Sequence, residues 1–147
     1  VLTFEELGSI FVGAGINLLD LEEYNKQGAV SDAGRTFGRS GGLVKAVTGS
    51  AAKLNPDYDV DVVQTEGLAA CMQTLNLARA GKYDGCFIEG MGCQGGCAGG
   101  PATLMDVDKT TQEINQFGTK AEIDEAVDNQ QAQELIEKIG YDQFHRL

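Results

Sequence analysis

The spacing of apolar residues predicts helices in the first third of the chain. Thr3 and Glu6 form a capping box, and the amphipathic pattern that follows predicts a helix to about Ala14. Residues 17–34 have no clear period and are predicted to be a loop. The pattern resumes over residues 43–54, where a second helix is expected.

The middle of the chain reads as a strand, a helix and a second strand. Residues 58–64 alternate and are rich in β-branched side chains, which predicts a strand. Residues 83–89 predict another strand. A helix is expected between them at 67–80, with an apolar stripe made by Leu68, Cys71, Met72, Leu75 and Ala78. This order is a βαβ crossover and predicts a parallel sheet.

The fold class predicted is therefore α/β, with a parallel β-sheet flanked by helices and a helical C-terminal tail. Residues 1–105 would form the α/β lobe and residues 106–147 a helical extension. Two mostly polar helices are expected near residues 101–117 and 129–139. Pro101 is expected to start the first of these, because proline is favoured at the first helical position.

A glycine-rich segment with two thiols lies where the second predicted strand ends. Six of the thirteen residues from 89 to 101 are glycine, and Cys93 and Cys97 lie among them. In parallel sheets, ligands gather beyond the carboxyl ends of the strands. Thiolates next to free backbone N–H groups suit an iron–sulfur cluster, and a helix starting at Pro101 would direct partial positive charge towards it. The segment therefore indicates a metal-binding loop.

Other interpretations of the glycine-rich segments remain open. The cysteine loop could be a turn that carries two incidental thiols. Zinc would need Cys71 and Cys86 as further ligands, but their positions in the helix and strand patterns favour the core. Residues 34–42 form a second glycine-rich stretch before a helix. This stretch suits either an anion site or an ordinary helix start, and it matches no nucleotide-binding motif.

The composition limits which kinds of binding partner and which cellular compartment suit this chain. The chain has 11 Lys and Arg against 22 Asp and Glu, a net charge of −11, which disfavours nucleic acid and anionic membranes. No apolar run is long enough to span a bilayer, and no secretory signal is recognisable. Four cysteines are too few for a disulfide scaffold, so a reducing, cytoplasmic location is expected. His145, near the end of the chain, is expected to be a solvated tail residue.

The pattern Glu89-x-Met91-x-Cys93-x-x-Gly96-Cys97-x-x-Gly100 resembles the third cysteine motif of the iron–iron hydrogenases. Residues 34–47 resemble the glycine–phenylalanine stretch that precedes a helix in that family. The predicted strand, helix and strand resemble the approach to the third motif. Together these similarities cover about residues 1–105.

The resemblance implies the cofactor and the residues around it. In that family the H-cluster joins a [4Fe-4S] cubane to a two-iron subcluster and interconverts H2 with protons and electrons. Cys93 would be a cubane ligand, and Cys97 would bridge the cubane and the two-iron subcluster. Met91 would line the two-iron pocket, so Cys97 and Met91 are the expected catalytic residues. Phe37 and Gly38 would lie against the same cofactor.

The resemblance also implies missing parts and partners. The first two cysteine motifs of the family, which hold the other two ligands, do not occur here, and the chain starts at Val1. We therefore expect a fragment that retains no cofactor, is inactive alone and self-associates through an uncovered apolar face. The expected partners are the N-terminal remainder of the hydrogenase domain, a ferredoxin-like electron carrier and H2. Glu89 is expected to be structural and to accept N–H bonds from a loop.

Three other functions remain open beside a catalytic hydrogenase. The sequence Gly100-Pro-Ala-Thr replaces the usual continuation of the motif, and Arg39-Ser lies within the glycine–phenylalanine stretch. Both variants resemble divergent branches that include sensors of H2. The alternatives are a non-catalytic iron–sulfur carrier and a regulatory α/β domain related to hydrogenases.

Overall fold

A computed structural model describes residues 1–22 and 30–140. The fold is α/β, as predicted, with a two-stranded parallel sheet flanked by helices. The elements in chain order are α1 (Phe4–Gly13), α2 (Asp32–Arg35), α3 (Gly42–Leu54), β1 (Val62–Glu66), α4 (Leu68–Arg79), β2 (Phe87–Met91), α5 (Val107–Thr119) and α6 (Gln130–Ile139), with 3-10 turns at Leu18–Asp20, Cys97–Gly99 and Ala126–Asp128. His145 and part of the predicted loop, residues 23–29, lie outside the described residues.

The βαβ prediction is confirmed. β1 and β2 run parallel, with Val62 opposite Phe87 and Glu66 opposite Met91. Helix α4 is the crossover between them and contacts both strands, while α3 contacts β2. The carboxyl ends of both strands therefore lie side by side, and the cysteine loop leaves from one of them.

Both strands begin four residues later than predicted. Tyr58 closes a turn onto Asn55, with its N–H 2.9 Å from the carbonyl oxygen, so the chain is still turning where the strand was expected. The other strand is delayed in the same way, because Cys86 N–H donates to Tyr83 O and Gly85 takes a φ of +78°. Alternating side chains predicted strands correctly, but these local turns set where pairing begins.

The helix predicted from Pro101 starts six residues later, and this prediction is wrong. Ala102 takes a φ of 58°, a left-handed conformation that cannot continue a right-handed helix from Pro101. Asp106 caps α5 instead, with its carboxylate accepting the N–H groups of Asp108 and Lys109. No helix N-terminus therefore follows the cysteine loop directly. The last predicted helix is confirmed as α6.

Helix α1 forms as the capping box predicted. The hydroxyl of Thr3 accepts the N–H of Glu6, and the Glu6 carboxylate accepts the N–H of Thr3. None of its residues is buried, so its apolar face stays open to solvent.

No helix in the described part of the chain combines the length and hydropathy of a membrane-spanning segment.

Helix α4 exposes most of its predicted apolar stripe. Leu68, Met72 and Leu75 are 74%, 58% and 56% exposed, whereas Thr74 is the buried residue of this helix. The reason is the width of the sheet, since two strands cover only a narrow face of a helix. Cys71 is half-buried and its Sγ lies 3.4 Å from Met91 O, so it packs on the sheet as expected.

The described residues have a small apolar core. Ala33 and Ala98 are its buried apolar residues, while the largest fully buried side chains are those of Glu89 and Thr36. Burying polar groups is tolerable only where hydrogen bonds satisfy them. Cohesion between the segments of this lobe therefore depends heavily on hydrogen bonds to buried polar side chains.

The C-terminal segment is bonded to the region of α2. Asp32 N–H donates to Ile123 O at 2.7 Å, and Ala33 N–H donates to Asp124 O at 3.0 Å. These bonds join segments about ninety residues apart in the chain. The extension is thus part of the described structure rather than a separate tail, although the predicted boundary at residue 105 stays a prediction.

Glu125 should make stability depend on pH. Its carboxyl group is buried against Gly49 of α3, and burial raises its pKa above the ordinary value of 4.5, despite the nearby charges of Lys53 and Lys45. The folded state then holds this proton more tightly than the unfolded state, so stability falls as pH rises above 4.5 through the raised pKa.

We expect Glu125→Gln to flatten this dependence. The variant should gain stability over the wild type between about pH 4.5 and 7, because glutamine carries no charge to bury. Urea unfolding midpoints at both pH values measure the effect, and the exposed Glu137→Gln on α6 is the control. A parallel pH profile for the wild type and Glu125→Gln would contradict the prediction.

Candidate metal centre

The cysteine loop begins at the end of β2 and places its two thiols beside one cavity. Gly96 N–H donates to Cys93 O at 3.1 Å, which closes a turn between the two cysteines. Cys93 is half-buried and Cys97 is exposed. Both line a cavity of about 620 Å³, together with Met91. The structure therefore brings together the two predicted ligands and one predicted cofactor contact.

The residues before α3 form the second side of the site. Arg39 and Gly96 form an isolated antiparallel bridge. Cys97 N–H donates to Gly38 O at 2.7 Å, and Ser40 N–H donates to Gly95 O at 3.2 Å. This pairing holds Gly38 directly against the second cysteine.

A second cavity, of about 410 Å³, lies next to Cys97. It is lined by Gly38, Ala98 and Cys97, and on the other side by Thr110 and Ile114 of α5. Gly38 rather than Phe37 borders this cavity, and the Phe37 side chain is 48% exposed. Cys97 thus borders both cavities, and the C-terminal extension forms a wall of the second.

Glu89 fastens the two glycine-rich segments together. Its side chain is fully buried and accepts three backbone N–H groups, from Gly41 at 2.7 Å, Leu43 at 3.0 Å and Val44 at 3.1 Å. This confirms that Glu89 accepts backbone N–H bonds, although the donors belong to the start of α3. The N-terminus of α3 is thus an anion site whose anion is an internal carboxylate.

Glu66 is a site residue that the sequence did not single out. Its carboxylate accepts Gly95 N–H at 2.9 Å, and hydrogen bonds from Ser40 and Gly95 hold its pKa below the ordinary value. It ends β1 directly opposite Met91, which ends β2. The signal that could have found it is its position, since an acidic residue that ends the neighbouring parallel strand lies beside the loop.

The N–H groups of the loop are less available than predicted. Those of Gly95, Gly96, Cys97, Gly99 and Gly100 all donate to protein oxygen atoms. The expectation that these groups are free to bond to sulfur is therefore wrong for these five. They hold the loop in shape instead, because a loop with so few side chains has little else to fix it.

Residues 1–101 match the model of the family described as iron only hydrogenase large subunit, C-terminal domain. The chain belongs to this family. The matched range contains both glycine-rich stretches and the βαβ unit, and it ends at Pro101. No curated protein matched the chain.

Within the hydrogenase domain, neither of the other two cysteines lines the cavity beside Cys93 and Cys97. Cys71 belongs to α4 and packs on the sheet, with its Sγ 3.4 Å from Met91 O, and Cys86 lies in the turn before β2. The described residues contain no group of three or more His, Cys, Asp or Glu side chains placed to hold a metal ion. A zinc site made from four cysteines thus has no support in the described structure.

Proposed function

We propose that this chain supplies two of the four cysteine ligands of a hydrogenase H-cluster, namely Cys93 and Cys97. The parent protein would oxidise H2 reversibly to protons and electrons, or sense H2. The observation that carries this proposal is the shared cavity, which both thiols and Met91 line at the carboxyl end of β2. Membership of the hydrogenase family supports it.

The donor chemistry of the site fits an iron–sulfur group. Thiolates are the soft ligands that iron–sulfur clusters require, and both thiols here are free. The cavity beside them is open and mainly apolar. Two thiols are half of a four-cysteine set, so the remaining ligands would come from another part of the hydrogenase domain. When bound, the H-cluster would supply the redox chemistry of H2.

The residues of this chain would bind and shield the group. Cys93 would hold the cubane, and Cys97 would bridge the cubane and the two-iron subcluster. Met91 and Gly38 would contact the cofactor from either side of Cys97. Phe37 would complete the apolar surroundings of the cofactor once the remainder of the domain covers its side chain. A dry surround lowers the local dielectric constant and so tunes the metal.

The partner for the open face would be the remainder of the hydrogenase domain. Val1, Leu2 and Phe4 are exposed apolar residues, and they line the same cavity as the two cysteines. Exposed apolar surface of this kind marks an interface. A ferredoxin-like carrier would exchange electrons with the assembled protein in a reducing cytoplasm, where free thiols persist.

Replacing Cys97 tests the proposal in the matured full-length protein. Cys97→Ser should lower the iron content and abolish H2-dependent function, because serine is a poor ligand for iron–sulfur clusters. Cys86→Ser is the matched control, since Cys86 is a half-buried thiol away from the loop. Infrared bands of CO and cyanide on iron would distinguish a hydrogenase from a simple iron–sulfur carrier. Unchanged iron and function in Cys97→Ser would leave the regulatory domain as the better explanation.

A further inference from the structure

Arg39 forms bonds to two parts of the molecule, the cysteine loop and helix α5. Its backbone forms the bridge to Gly96 in the cysteine loop. Its side chain points to helix α5, where Nε donates to Asn115 Oδ1 at 2.6 Å. A second bond, from Nη1 to Ser40 O at 2.7 Å, fixes the guanidinium group against the neighbouring backbone. A shift of α5 would therefore act directly on the segment that pairs with the loop.

The loop end of this connection leaves little freedom. A Cβ on Gly96 would lie 2.8 Å from both Gly38 O and Ser40 N, so the two backbones are in very close contact. Side chains contribute little, because four of the six residues from 95 to 100 are glycine. The position of Cys97 therefore depends on the backbone bonds to residues 38–40 and on the packing of Val107 of α5 against Gly95 and Gly99.

The other end of the connection is firmly anchored. The Arg35 guanidinium lies 4.7 Å from the centre of the Phe117 ring and donates to Phe117 O at 3.1 Å. Gly118 is buried against Asp32 and Thr36. Helix α5 is thus a fixed support, and it lies beyond residue 101, where the family match ends.

We infer that Arg39 is a positioning residue that ties the cysteine loop to helix α5, so that the C-terminal extension sets the place of Cys97. The inference deepens the proposed function and rests on it for its effect on the cluster. The same helix also lines the cavity beside Cys97, through Thr110 and Ile114. The extension therefore acts on the ligand loop from two directions.

Hydrogen–deuterium exchange of the full protein tests the connection. Arg39→Ala and Asn115→Ala should each speed exchange in the peptide covering residues 95–99 by roughly threefold to tenfold, the range for loss of one hydrogen bond. Asn115→Asp keeps an acceptor oxygen, and so it should exchange like the wild type. Arg79→Ala, which removes an exposed arginine at the end of α4, is the control and should also change nothing.

Two outcomes of the exchange experiment would overturn the inference. One is unchanged exchange at residues 95–99 in both alanine variants. The other is faster exchange across the whole chain, with α4 as the internal reference, because Arg39 would then support the fold in general. Asn115 is exposed, so its alanine variant should fold normally and keep the test decisive.

The cluster provides a second readout that a merely structural residue would not move. Hydrogen bonds and solvent near cluster sulfur set the reduction potential. The midpoint potential of the loaded protein should shift in Asn115→Ala and return in Asn115→Asp. An unchanged potential in Asn115→Ala would also overturn the inference. If the wild type forms no cluster, the proposed function fails, while the exchange result still decides whether Arg39 ties the loop to α5.

Discussion

Replacing Glu89 with alanine should lower the free energy of unfolding by about 3–5 kcal/mol, because each buried N–H group that loses its acceptor costs about 1–3 kcal/mol. The Glu89 carboxylate is fully buried and accepts three N–H groups at the start of α3. Alanine removes all three acceptor contacts and leaves three partly buried donors without partners. Urea unfolding monitored by circular dichroism measures the loss.

The position of these donors explains why the effect should be large. The first N–H groups of a helix have no partner within it, and the helix dipole adds partial positive charge there. The N-cap of α3 is Gly41, which has no side chain to supply a cap, so Glu89 performs that role from β2. One carboxylate therefore stabilises both the helix and its contact with the strand.

Glu89→Gln is the matched control for this prediction. It keeps the size of the side chain and one acceptor oxygen, which can still serve Leu43 and Val44 through the position of Oε1. Its amide NH2 would face the N–H of Gly41, which is bonded to Oε2 in the wild type. The loss should therefore be smaller than for alanine. Equal stability of Glu89→Ala and the wild type would contradict the account.

The sequence singled out Glu89 and the glycines before α3, but it did not predict the contact between them. The glycines before α3 suited either an anion site or an ordinary helix start, and Glu89 was identified as a carboxylate that accepts N–H bonds. No pattern along the chain relates residue 89 to residues 41–44, because their contact depends on how α3 packs on β2. Tertiary packing of this kind leaves no local periodicity, whereas the βαβ unit does, and for that reason the unit could be predicted.

The sequence predicted the cysteine loop of the candidate site, but not the residues that hold this loop in place. Cys93 and Cys97 follow a recognisable strand, so their place at its carboxyl end could be inferred. Glu66 and Asn115 act through contacts with Gly95 and Arg39 that are distant in sequence. The predicted helix start at Pro101 was wrong because a left-handed residue follows it, and alanine, the residue found there, gives no sign of that conformation.

Gly96→Ala should cost about 2–4 kcal/mol and displace the cysteine loop. Gly96 has a φ of 69° and a ψ of −145°. Residues with a Cβ rarely adopt this conformation, and forcing alanine into it costs about 1–3 kcal/mol. The new methyl group would also overlap Gly38 O and Ser40 N, which are backbone atoms and cannot rotate away. Unfolding midpoints and the rate of Cys97 alkylation measure the two effects.

Gly85→Ala separates the cost of the backbone conformation from the cost of the contact. Gly85 has a φ of +78°, but a Cβ there would meet nothing within 4 Å, so only about 1 kcal/mol is expected. It lies in the turn before β2, and the rate of Cys97 alkylation should not change. Suppose that Gly96→Ala and Gly85→Ala lost the same stability and that the rate of Cys97 alkylation was the same in both. The close contact between residues 38–40 and the loop would then not be what holds Cys97. A larger loss and a changed rate in Gly96→Ala alone would show that the loop requires a bare backbone at this position, because Cys97 can reach its place only where residues 38–40 and the loop meet without a side chain between them.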